Sequence, residues 1–417
     1  MASFPDRLEK LLSAAAGKGL VDETARSGLM ALAREQERER GALRLASVLG
    51  WLGGTILSVG VILLVAANWD GIAPSVKLVG LLALLGGAHG AALWIRWTGR
   101  PYAKTAEALH VAGAGLFLAG IGLVAQIYHL NARPPDGILL WFVAVAPLAG
   151  LLRSGPLAAV SLFALILWMH MEASFAGSPV EMPDRFIPHL ALEISLGLAL
   201  IGFSGLVRPR VPPIGAVFRG VGAAILFGGV YVLGFYRHLH EWYGYREHGG
   251  THLLPLVMLA LGGIGIAVGS RHFAPGHPWY RNRLVILLAS VAVLTGAVLL
   301  VDMGALGRGP SYTSSDFGWS RSYHLAEWII SGVAWLVWFL LAFWCVGFGS
   351  QSSQRGWVNA GVAGVALGAI TRFFDLMGGL AETGTLFVAG GLVLIGVAWG
   401  AERWRRNLVA RMGRSAL

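Results

Sequence analysis

The chain has 417 residues, of which 56% are hydrophobic and 13% charged, with a formal net charge of +10. A soluble domain carries roughly twice that charged fraction, so the composition excludes an ordinary soluble enzyme and indicates a helical membrane bundle. The positive charge does not point to nucleic acid, because it is sorted to alternate sides of a series of apolar segments. The fold class expected is all-α: a polytopic bundle of about twelve transmembrane helices with a short N-terminal cytoplasmic helical hairpin.

Residues 1–43 hold the hairpin. Phe4, Leu8, Leu11, Leu12 and Ala15 recur at helical spacing, and Gly17-Lys18-Gly19 interrupts them. Asp22 stands where an N-cap would open a second helix running to Arg40. Twelve apolar segments follow, at 44–67, 75–97, 106–125, 138–152, 156–170, 189–207, 216–236, 252–270, 283–301, 324–348, 356–371 and 383–401. Most approach the roughly 20 residues that a spanning helix needs. The start of the chain lacks the apolar core of a cleavable signal, so the first span is expected to act as an uncleaved insertion signal. With the N-terminus inside, 24 of the 32 basic residues fall on the inner side. That bias predicts both termini in the cytoplasm. The basic tail 402–417, with Arg403, Arg405 and Arg406, is expected to meet anionic lipid headgroups at the cytoplasmic face.

The third, seventh and eleventh spans, read from Val111, Val221 and Val358, are rich in Gly and Ala and end in aromatic and polar residues. The second, sixth and tenth each carry one charged residue near the outer end: Lys77, Glu193 and Glu327. These correspondences predict three copies of a four-helix membrane unit, at 44–152, 156–270 and 283–401, in a parallel repeat. Gly50/Gly54, Gly86/Gly90, Gly265/Gly269 and Ala360/Gly364/Gly368 have the spacing that lets membrane helices approach closely. No strand precedes these glycines and no Walker lysine follows them, so they are not nucleotide loops. The single cysteine, Cys345, excludes an intrachain disulfide and a cysteine-based metal site.

Ionisable groups inside a membrane are costly and are functional candidates by default. If the repeat brings Lys77, Glu193 and Glu327 together, they form either a solute or proton site or a structural ion pair. Glu107 and His110 share one face of the third span, and His89 lies towards the same side. They form a candidate proton or metal site, against the plainer alternative of histidines bonded to neighbouring helices. The outer segments hold most of the remaining histidine, with Glu172, Glu181, Asp184 and Asp316. His238, His240, His248 and His252 are weak metal candidates, since their spacing matches no standard site. No cofactor is implied, and no catalytic constellation is visible.

Asn68-Trp69-Asp70 closes the first span, with Ile72 and Lys77 after it. Trp51, Ala67-Asn68-Trp69, Gln126-Ile127-Tyr128-His129, Leu140-Trp141, Pro147 and Leu151-Leu152-Arg153-Ser154 together resemble the DUF2157 family of uncharacterised bacterial membrane proteins. Gly19-Leu20-Val21-Asp22, Arg372-Phe373-Phe374-Asp375 and Gly390-Gly391 with Glu402-Arg403 are also similar to that family. The resemblance implies a bacterial inner-membrane location and brings no activity or catalytic residues.

Two functions fit these residues. One is a transporter- or permease-like protein for a small or amphipathic solute, supported by span number, repeat and intramembrane charge. The other is a non-transporting scaffold or sensor that recruits a protein partner through residues 1–43.

Overall fold

Proline sets where many of the helices begin. In the computed structural model the apolar segments form α1 (Pro74–Trp97), α2 (Ala103–Ile127), α3 (Pro134–Leu152), α4 (Gly155–Ala173), α5 (Phe186–Val207), α6 (Pro212–Leu233), α7 (Leu253–Gly269), α8 (Pro278–Asp302), α9 (Leu325–Gln351) and α10 (Arg355–Met377). Proline occupies the first or second position of α3, α4, α6 and α8. There its missing N–H would have found no helical partner and its fixed φ suits the first turn. Hydropathy cannot see this, so the predicted spans at 138–152, 216–236 and 283–301 start four or five residues late.

The structure describes residues 69–99, 103–239, 250–305 and 325–377 continuously, with short stretches within 8–33, 313–320 and 388–406. Among the described residues nine helices are long and apolar enough to cross a membrane. The Gly- and Ala-rich α10 has the length and less apolarity. The predicted first span, 44–67, lies outside the described residues, as does part of the twelfth. One small departure from all-helical structure is an antiparallel pair of three-residue strands, β1 (Thr313–Ser315) with β2 (Gly318–Ser320).

The chain divides into two units, Met1–Gly80 and Leu81–Leu417. In the first, residues 24–33 are helical. The Ala25 N–H donates to Asp22 Oδ1 at 2.6 Å, so Asp22 is the N-cap that the sequence suggested. Leu12, Met30 and Ala33 are buried, while Leu11, Leu29 and Leu32 are exposed.

The second unit is organised around α5. Its sequence is apolar on every side, which suits a helix enclosed by others, and nearly its whole length is buried. Glycine permits this. A Cβ on Gly202 would stand 2.6 Å from the Gly265 carbonyl carbon on α7, and one on Gly197 would stand 2.9 Å from the Leu226 nitrogen on α6. Gly265 and Gly269 therefore meet a close partner as their spacing suggested, and the partner is Gly202 and Gly205. Gly364 and Gly368 likewise face α9, against Ala342, Trp338 and Phe339. Gly86 and Gly90 meet nothing among the described residues. With α5 filled by α6, α7 and α8, the apolar residues left exposed lie on outer surfaces. Examples are Leu82 and Leu84 on α1, Val293 on α8 and Leu336 on α9. Exposed apolar area on this scale is the mark of a lipid-facing surface.

Several signature residues prove to be helix punctuation. Arg153 takes φ +50° while Ser154 N–H bonds to the Ala149 carbonyl, closing α3 in a left-handed cap. Ser154 then caps α4 by accepting from Leu157 N–H. His129 closes α2 in the same conformation, φ +47°, with Leu130 N–H on the Ala125 carbonyl. Trp141 Nε1 donates to the Ala114 carbonyl at 2.9 Å and ties α3 to α2. Replacing Ser154 with alanine removes a cap and is expected to cost about 1 kcal/mol, read as a lowered unfolding midpoint in detergent.

Candidate functional site

A large cavity lies where α5 ends, α6 begins, α7 turns into α8, and α9 turns into α10. Its volume is about 550 Å³. Deep walls come from Ile201, Leu226, Phe227, Leu288, Leu341 and Cys345, and the mouth carries Arg208, Arg219, Arg271, His272 and His277. Among the described residues no acidic residue lines it.

Local structure explains how the cations come together. Arg208 is the C-terminal residue capping α5, with its N–H on the Ser204 carbonyl. The tight turn into α6 needs Gly215, since a Cβ there would stand 2.6 Å from the Arg208 nitrogen. Arg219 lies two turns into α6, half-buried, with its guanidinium 5.9 Å from the Trp357 ring centre. Trp344 Nε1 donates to the Tyr280 carbonyl at 2.8 Å and the ring stacks on Phe348, with centres 4.9 Å apart. The aromatic side of the mouth is thereby fixed. Among the described residues no carboxylate forms an ion pair with Arg208, Arg219 or Arg271.

The opposite helix ends are built in the reverse way. Arg133 meets Glu172 at 2.6 Å, Arg185 meets Asp302 at 3.0 Å, and Arg372 meets Asp375. All three carboxylates are buried. Ser178 Oγ also donates to Glu172, and His252 Nε2 lies 2.8 Å from Asp302. Glu172, His170 and His189, which the sequence placed towards outer segments, belong to α4 and α5, because both helices run three residues beyond the hydropathy limits.

The sequence candidates distribute as follows. Glu193 pairs with His170 at 2.6 Å. His170 Nδ1 lies 2.8 Å from the Ile166 carbonyl and must donate to it, so the contact to Glu193 holds one shared proton. Glu327 is buried near the start of α9. In the first unit Lys77 Nζ lies 4.3 Å from the Trp69 ring centre, a cation–π contact between two signature residues. His89 and His110 touch, Nδ1 to Nδ1 at 2.9 Å. One imidazole donates and the other accepts, and Gly113 leaves room for the His89 ring. Glu107 makes no ion pair with a described residue. His238 engages Asp375 and His252 engages Asp302; His240 and His248 lie outside the described residues, as does Asn68. Among the described residues no group of three metal-ligating side chains comes together. Gln126, Tyr128 and His129 are exposed at the end of α2. None of the residues singled out from the sequence as a polar site lines the large cavity. Its arginines belong to the inner-side basic residues whose sorting predicts topology, although Arg219 falls inside the predicted span 216–236. An arginine within an apolar helix was the available signal.

Apolar helices of spanning length, enclosed on α5 and bare on their outer surfaces, define a polytopic membrane protein. Residues 16–158 match the family described as "Predicted membrane protein (DUF2157)". The resemblance carried by the signature residues is thereby shown for that stretch, which ends before α5 and before the cavity. No curated protein and no solved structure matches the chain.

Proposed function

We propose that this is a permease-like membrane protein for a small or amphipathic solute, with the cavity among α5, α6, α8 and α9 as its binding site. The observation that carries this is the union of an apolar interior with an arginine-bearing mouth in one space of about 550 Å³. Small-molecule sites are typically of this size, mostly apolar with a few convergent polar groups. A bacterial inner-membrane location with both termini cytoplasmic belongs to the same proposal. The sorting of basic residues and the family resemblance support it, and it sets the cavity mouth on the cytoplasmic side.

The test is binding of a dansylated fatty acid to purified protein in neutral detergent, read by energy transfer from the protein's tryptophans, of which Trp344 and Trp357 line the cavity. Ala223→Phe narrows the cavity and is expected to weaken binding about tenfold or more, equivalent to about 1.4 kcal/mol. Leu84→Phe on the exposed side of α1 should leave it unchanged. Equal affinity in the Ala223 variant would remove the cavity as the site. Exposed Leu11, Leu29 and Leu32 favour a second reading, partner docking by the N-terminal segment. Uptake of the probe into proteoliposomes decides between them: a permease retains it when residues 1–40 are deleted, and a scaffold shows none at all.

A further inference from the structure

We infer that the cavity's occupant is an anionic lipid that enters sideways from the bilayer, through an opening between α6 and α10. The inference rests on the cavity being a binding site, as proposed above, and adds the ligand class and its route.

Charge identifies the headgroup. At the opposite helix ends this chain answers Arg133, Arg185 and Arg372 with a buried carboxylate each. Around the cavity Arg208, Arg219 and Arg271 receive none from the described residues, and no described acidic residue belongs to the lining. Guanidinium groups without a counter-charge, half-buried at Arg208 and Arg219 and exposed at Arg271, are stabilised by an anion, and their planar forks suit phosphate or carboxylate oxygens. The apolar walls below, from Leu226 to Leu341, supply the surface a hydrocarbon chain would cover.

The route is written in small residues. A second cavity, of about 310 Å³, is lined by Ala216, Arg219 and Gly220 on α6 and by Gln354, Gly356 and Trp357 at the start of α10. It shares Arg219, Gln354 and Trp357 with the large cavity, so the two lie side by side with those side chains between them. Deeper in the bundle α6 and α10 touch, with Phe227 against Gly364. Nearer the end, Ala216, Gly220 and Gly356 are exposed, and a Cβ added to either glycine meets nothing within 4 Å. The gap therefore opens on the lipid-facing surface, with an arginine at its inner edge. A lipid can slide its headgroup past Arg219 while its chain stays in an apolar medium throughout. A water-soluble anion would need only the mouth at Arg208 and Arg271.

Native mass spectrometry of delipidated protein in neutral detergent tests this. The probes are phosphatidylglycerol, phosphatidylcholine with the same chains, and glycerol phosphate alone. Retention of phosphatidylglycerol is expected at roughly tenfold higher affinity than phosphatidylcholine, with Arg219→Gln erasing that preference and glycerol phosphate failing to bind. Gly220→Trp places an indole at the opening from a Cβ that meets nothing within 4 Å, and should slow phosphatidylglycerol exchange while leaving the unfolding midpoint unchanged. Equal binding of both lipids overturns the charge assignment. Tight binding of glycerol phosphate overturns the lipid. Unchanged exchange in both Gly220→Trp and Ala216→Trp overturns the lateral route. Dansylated fatty acid binding that persists in any of these cases leaves the cavity as a site and refutes only its lipid assignment; if that probe also fails, the functional reading falls with it.

Discussion

Gly202→Leu is expected to prevent assembly of the second unit. The added Cβ would stand 2.6 Å from the Gly265 carbonyl carbon and 2.7 Å from the Ile266 nitrogen, both backbone atoms of α7 that no rotamer change can move. Ordinary overpacking costs about 1–3 kcal/mol. Here the obstacle is a helix backbone, and lipid supplies no hydrophobic drive to hold separated helices together, so a loss of at least about 3 kcal/mol is expected. Cys345, the chain's single cysteine, is buried and reports unfolding through its reaction with a thiol-reactive fluorophore on heating. A strongly lowered midpoint, or protein recovered only as aggregate, is the expected outcome. Gly86→Leu is the control, because a side chain there meets nothing among the described residues.

The same glycine seam shows what the sequence could disclose. Gly265 and Gly269 were legible as a close-packing pair because helical spacing puts them on one face. Their partners Gly202 and Gly205 were not, because three residues apart they look like ordinary small residues within an apolar run. Helix existence was legible throughout the described spans, since hydropathy reports it directly. Helix starts were missed wherever Pro134-Pro135, Pro212-Pro213 or Pro278 opened the first turn in a polar stretch. Among the candidate site residues, Glu107, His110 and His89 were grouped by spacing and depth; His110 meets His89 across two helices, and Glu107 makes no ion pair with a described residue. Glu193 was legible as an intramembrane charge, and its partner His170 was not, because pairing between α4 and α5 depends on helix rotation. The cavity arginines were hardest to read. Position along the chain makes them topology signals; only packing shows that carboxylates answer some arginines and leave Arg208, Arg219 and Arg271 facing open space.

Asp302→Ala should be the most damaging of the charge substitutions. Its carboxylate is 2% exposed and receives Arg185 at 3.0 Å and His252 at 2.8 Å. Breaking one side of a buried ion pair costs about 3–5 kcal/mol when the remaining charge stays enclosed. The Arg185 side chain is 37% exposed and can turn towards headgroup water, so the lower end, about 3 kcal/mol, is expected. Asp302→Asn keeps an acceptor for both donors and should lose less. Combining it with Arg185→Gln should recover part of the deficit, because no unanswered cation then remains; a double variant no better than either single one would show that the pair does not act as a unit. The matched change at the other helix ends is Arg219→Gln, which removes a cation that no described carboxylate answers. It forfeits only the contact with the Trp357 ring, and its unfolding midpoint should fall by less than about 1 kcal/mol equivalent. The two arginine sets thus make opposite demands on the same thermal assay. Arg185 holds the bundle through Asp302, whereas a charge that costs little stability to delete, and that faces an apolar cavity, is kept for what the cavity holds.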